Sequence, residues 1–109
     1  MRTGLCVAFT IALTAAPSFA QDRDVTAISR GLAYARQSCS SCHAVDAGQK
    51  TSPNPNAPSF QSVANMPGMT RIALNVWLHT SHPTMPQLIV DPYRIDDLAA
   101  YMATLKSDR

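Results

Sequence analysis

The 109-residue chain predicts an all-α domain of a few helices separated by long loops. Three observations carry that class. Apolar residues recur at helical spacing near both ends of the chain, no segment alternates apolar and polar residues as a half-buried strand does, and proline punctuates the stretches between.

The elements follow in order. Arg2 gives a positive start, Leu5 to Ala16 (LCVAFTIALTAA) is a mainly apolar run, Pro17 breaks it, and Ser18-Phe19-Ala20 places small residues where a signal peptidase reads. The run is too short to span a bilayer, which takes roughly 20 apolar residues, and the polar QDRD follows at once. Residues 1–20 are expected to be a cleaved secretory signal, leaving 21–109 as one domain exported to the periplasm, with no lasting membrane insertion. Asp24 to Ser38 is expected to be helical, with Val25, Ile28, Leu32 and Ala35 on one face. AGQKTSPNPNAP, Ala47 to Pro58, is a turn-rich segment that its prolines keep irregular. A short helix is expected over Ser59 to Asn65, stopped by Met66-Pro67-Gly68. Thr70 can cap a third helix to about His79, carrying Ile72, Leu74, Val76, Trp77 and Leu78. After a second proline-punctuated loop, Ser81 to Val90, Asp91 as N-cap and Pro92 at the first helical position open the last helix, with a stripe of Ile95, Leu98, Ala99, Met102 and Leu105.

Charge narrows the function classes. Removal of the leader takes away Arg2 and no acid, leaving eight basic against seven acidic residues, every acid being Asp. A net charge of +1 argues against nucleic acid or an anionic membrane surface as a partner. A domain this small builds a thin core and commonly leans on a disulfide, metal or cofactor. Long loops that need not pack on one another would be explained if they wrapped a large flat ligand.

Of the three cysteines, Cys6 lies in the leader and the other two lie in CSSCH, Cys39 to His43. A redox dithiol would be expected beside a βαβ pattern, which is missing. Zinc needs a full tetrahedral ligand set; Cys39, Cys42, His79 and His82 supply one on paper, but at a spacing far longer than a zinc finger's and with His43 unused. A disulfide across so short a loop stabilises little. Haem attachment, C-x-x-C-H, gives every residue work: two thiols add to the two vinyl groups, and the adjoining histidine can ligate the iron from the proximal side.

A second axial ligand is then sought in HTSHPTMPQL, which offers His79, His82 and Met85. Met85 stands between Thr84 and Pro86, with Pro83 two residues before it. A residue preceding proline is pushed to extended backbone, so this thioether is presented from a stiff strap. Met66, Met69 and Met102 read as core filler, the usual employment of methionine.

In that order the chain resembles the class I c-type cytochromes, of the small soluble proteobacterial kind. The resemblance runs over residues 24–106: Gly31 and Tyr34 ahead of CSSCH, the loop ending Ala57-Pro58-Ser59-Phe60, Trp77-Leu78 before His82-Pro83-Thr84-Met85-Pro86, and Asp97-Leu98-Ala99-Ala100-Tyr101-Met102 in the last helix. It implies the cytochrome c fold around one covalent haem c, held by Cys39 and Cys42, with His43 proximal and Met85 distal to iron. It further implies that the Pro58 carbonyl accepts the Nδ1–H of His43, although Ala-Pro stands here where many members have Gly-Pro. By the same likeness Gly31 lets the first and last helices cross closely against Leu98 and Tyr101. Trp77 would donate to a haem propionate or pack at the ring edge, packing being the simpler role. His79 and His82 would face solvent.

The implied function is one-electron transfer by a monomer that is not an enzyme. Thioether ligation raises the reduction potential relative to bis-histidine, so the partners implied are quinol-side donors and an oxidase or dehydrogenase. The rival is a haem c enzyme or gas- or peroxide-responsive protein in which Met85 leaves the distal position open.

Overall fold

A computed structural model of the chain describes residues 19–80, 84, 85 and 89–107. Residues 1–18, and with them most of the expected signal, lie outside the described residues, as do His82, Pro83 and Pro86. Among the described residues four helices make up the regular structure: α1 Phe19–Ser38, α2 Phe60–Ala64, α3 Arg71–His79 and α4 Pro92–Ala103. Among the described residues none forms a strand element, so the all-α expectation holds.

α1 starts five residues before the expected Asp24. Asp22 sits in its first turn, where a negative charge suits the helix dipole, and Thr26 Oγ1 donates to the Asp22 carbonyl at 2.7 Å. Of the expected apolar face, Ala35 is fully buried and Ile28 and Leu32 pack against the core. Val25 does not join them and is 66 % exposed. It lies six residues before the crossing at Gly31, about 9 Å along the helix axis, beyond the reach of that contact.

The α1–α4 crossing is the main helix contact. A Cβ at Gly31 would come 2.9 Å from Tyr101 Cβ and closer still to the Asp97 carbonyl oxygen. The closest approach falls on the Asp97 backbone and Tyr101, and Leu98 is buried in the core at 2 % exposure. Beside the crossing Arg30 donates twice to the Asp97 carboxylate, Nε to Oδ2 and Nη2 to Oδ1, each at 2.8 Å. Asp97 is buried and Arg30 half exposed, so one end of the pair is largely withdrawn from water.

The shorter helices are fixed by their caps. Ser59 Oγ accepts from the Ser62 amide at 3.1 Å at the start of α2, and Thr70 Oγ1 from the Ala73 amide at 3.1 Å at the start of α3. Between them Met66-Pro67-Gly68 turns sharply, Gly68 taking φ 77°, a value that glycine accepts without strain. α3 differs from its pattern. Only Leu74 is buried, whereas Ile72 and Val76 are exposed, because the helix meets the core along one narrow edge. An ion pair between Arg71 and Asp96 ties it to α4.

Asp91 and Pro92 occupy the expected positions at the start of α4, but Asp91 makes no side-chain cap bond. Its carboxylate accepts from the Tyr93 hydroxyl at 3.0 Å, and its carbonyl takes the Arg94 amide at 2.9 Å. Ile95, Leu98, Met102 and Leu105 are buried as expected. Asn65 closes the C-terminal end, donating to the Leu105 carbonyl at 3.0 Å and accepting from the Ser107 amide at 2.8 Å.

Candidate functional site

CSSCH hangs from the end of α1. The Cys39 amide still donates to Ala35 at 2.9 Å, and the chain then turns so that the Cys42 and His43 amides both reach the Cys39 carbonyl, at 3.2 and 2.9 Å. Both thiols are free and partly buried. Burial pushes the Cys39 thiol up to about 11. A redox dithiol needs the opposite, a lowered pKa and a ready thiolate.

The proline-rich loop folds back on this turn. The Asn54 amide donates to the Cys42 carbonyl at 3.1 Å, and the Phe60 amide to the Ala44 carbonyl at 2.9 Å. Ser52 Oγ accepts from the Ala44 amide at 2.9 Å. These bonds bring the Pro58 carbonyl within 2.7 Å of His43 Nδ1. A carbonyl only accepts, so Nδ1 is the donor, and in the neutral ring Nε2 is then the nitrogen with a lone pair for another partner. The imidazole also rests near the Phe60 ring, centroids 5.6 Å apart and planes inclined by 59°. From α4, the Tyr101 hydroxyl donates to the Val45 carbonyl at 2.6 Å, and burial raises the phenol's pKa, keeping it a neutral donor.

Cys39, Cys42, His43, Pro58, Trp77 and Met85 all line one cavity of ≈ 290 Å³. The remaining walls are chiefly apolar, among them Phe60, Val63, Leu74, Leu78 and Leu98. Trp77 is half exposed, so it stands at the rim. Met85 is partly buried, and Thr84 beside it is exposed. His79 is absent from the lining; it sits exposed at the end of α3, its Nδ1 2.8 Å from the Asn75 carbonyl. His82 lies outside the described residues. Among the described residues no cluster of His, Cys and Asp offers a metal site of the zinc kind.

The arrangement fits haem c. An apolar cavity is lined by two unpaired cysteines with two residues between them, by a histidine whose Nδ1 is held at Pro58, and by a methionine. Other residues of the lining went unmarked in the sequence. Met66, Met69 and Met102 read there as filler, yet all three border the cavity. Asn54, Asn56 and Thr84 add polar groups to it; nothing local marks Asn54 and Asn56, since the Asn54–Cys42 backbone contact is what carries their loop there.

No protein-family model matches the chain, and no solved structure does. One curated relative does: cytochrome c-552 of Bradyrhizobium diazoefficiens is 31 % identical over 103 residues, covering 94 % of this chain and 93 % of the relative. A likeness that spans nearly the whole of both chains, together with a cavity built for a covalent macrocycle, leads to one conclusion: the chain belongs to the small c-type cytochromes.

Proposed function

We propose that this haem c electron carrier is attached through Cys39 and Cys42 and coordinates iron through His43 and Met85. The observation that carries the reading is the 2.7 Å contact between His43 Nδ1 and the Pro58 carbonyl. It fixes the tautomer and the ring plane, and it raises the basicity of Nε2 toward a metal. Met85 supports the distal role because its thioether borders the same cavity, whereas His79 is bound to its own helix and turned away.

When bound, haem supplies a reversible one-electron Fe(III)/Fe(II) couple. What the chain contributes is placement and exclusion. Paired thioethers prevent the macrocycle from leaving, the apolar walls keep water from it, and the loop bonds around Ala44 and Pro58 limit how far the proximal side moves when charge changes. With His43 and Met85 both holding the iron, the chain would leave no position there for a substrate, in keeping with a carrier that is not an enzyme. Trp77 packs at the rim of the cavity.

The carrier is read as a periplasmic monomer, residues 1–20 serving as a cleaved signal and 21–109 as the functional domain. Its donors are read as quinol-side proteins and its acceptors as an oxidase or dehydrogenase, on the ground that a thioether ligand raises the potential. No described helix is long and apolar enough to cross a membrane. A pyridine haemochrome assay after denaturing extraction tests the attachment. Haem should stay with the wild-type chain and be lost from the Cys39→Ala/Cys42→Ala double variant; covalent haem on the double variant would refute it.

A further inference from the structure

The hydroxyl of Tyr101 has no part in the function just described. As an aromatic ring against Gly31, Tyr101 would serve equally well as phenylalanine, since the ring alone fills the helix crossing. Yet the residue is 4 % exposed, and burying a hydroxyl costs free energy unless it is hydrogen-bonded. Its partner is the Val45 carbonyl, 56 positions away in sequence and two residues after His43.

The run from His43 to Val45 is fastened on several sides. The His43 amide holds to Cys39, the Ala44 amide to Ser52, and the Ala44 carbonyl to the Phe60 amide. His43 Nδ1 reaches Pro58, two residues before Phe60, so the imidazole and its own backbone belong to one small closed circuit of bonds. Those partners are Cys39 just after α1, Ser52 and Pro58 in the loop, and Phe60 at the start of α2. The Tyr101 hydroxyl is the described bond that ties this circuit to α4, whose Leu98 and Met102 form cavity wall. Ala44 and Val45 are essentially inaccessible to water, so a carbonyl stripped of that donor finds no replacement.

We propose that the Tyr101 hydroxyl is a positioning group for the proximal imidazole: through Val45 it locks the attachment turn to α4 and so holds His43 in register with the cavity. The inference rests on His43 being the proximal ligand.

Hydrogen exchange followed by nuclear magnetic resonance on the ferrous, haem-loaded protein tests it. In Tyr101→Phe the His43 Nδ1–H and the Ala44 and Phe60 amides should exchange about tenfold faster or more, while amides inside α1 and α4 keep their wild-type rates. Uniform acceleration across the helices and the turn would reduce Tyr101 to a packing residue, and no acceleration would leave the bond without effect; either overturns the proposal. If Tyr101→Phe does not fold, 3-fluorotyrosine placed at position 101 keeps the shape and makes a stronger donor. Exchange at His43 Nδ1–H should then slow, and an unchanged rate overturns the proposal. The ligand assignment is judged separately in the wild type. Ring protons of a proximal histidine are strongly shifted by the macrocycle, so an unshifted His43 would defeat that assignment whatever Tyr101 does.

Discussion

His43 is held by an acceptor fifteen residues away, in a loop whose prolines leave it few other conformations. That contact turns an ordinary imidazole into an oriented donor set: one nitrogen committed to Pro58, the other available. His43→Ala should remove both the ligand and the link between turn and loop. The expected result is a chain that retains little haem after purification and lacks the wild-type visible spectrum; an unchanged spectrum would refute the proximal role. At this scale the sequence was legible where chemistry is local. CSSCH lies in five consecutive residues, and the prolines flanking Met85 mark it apart from Met66, Met69 and Met102. Asn54, Asn56 and the Tyr101 hydroxyl were illegible because tertiary contacts give them their neighbours, and no spacing encodes those contacts.

The α1–α4 pair shows how one crossing is specified by four residues of different kinds. Gly31 admits the Asp97 backbone, Tyr101 fills the space beside it, and the Arg30–Asp97 pair fastens the edge. Gly31→Ala gains helix propensity of about 1 kcal/mol but forces a methyl group onto a backbone carbonyl that cannot step aside. Overpacking of this sort costs about 1–3 kcal/mol, so thermal unfolding of Gly31→Ala should show a net fall in Tm. A rise would contradict the close crossing. The Asp97 carboxyl is held below the ordinary carboxylate range by hydrogen bonding to Arg30, helped by the charges of Arg30 and Arg94 and opposed by burial. A lowered folded pKa means that the pair's stabilisation is full above the unfolded value, about 3.9, and is lost as pH falls through the folded value. The Arg30 pKa is raised, so its own contribution is lost only at alkaline pH far outside the working range. Asp97→Asn should lower Tm at pH 7 by at least about 5 °C and flatten the acid limb of the stability profile; an unaltered acid limb would remove Asp97 from it. Periodicity, caps and stop signals in the sequence placed the four helices of the described residues, but they did not foretell burial. On α3 the same pattern that buries Leu74 leaves Ile72 and Val76 in water, because exposure depends on where the neighbouring helices end.

Over the described residues α1 packs on α4, while α2, α3, α4 and the loops between them wall one cavity. Leu74, Leu98 and Met102 are core residues and cavity wall at once, so the bound group completes the core it occupies. The Cys39→Ala/Cys42→Ala chain without haem should therefore lose much of its helical circular dichroism and its cooperative melting, as expected when a ligand binds only the folded state. A haem-free chain with wild-type helicity and a sharp transition would show that the protein alone suffices. The thin core and long loops, visible in the sequence as a puzzle, are explained together by that cavity. The proposed placement of iron between His43 and Met85 is read from the ferric near-infrared spectrum, where a weak charge-transfer band reports a thioether bound to iron. Wild-type protein should show the band, His79→Ala and His82→Ala should keep it, and Met85→Ala should lose it with a fall in reduction potential. A band that survives in Met85→Ala, or vanishes in His82→Ala, would remove Met85 from the iron.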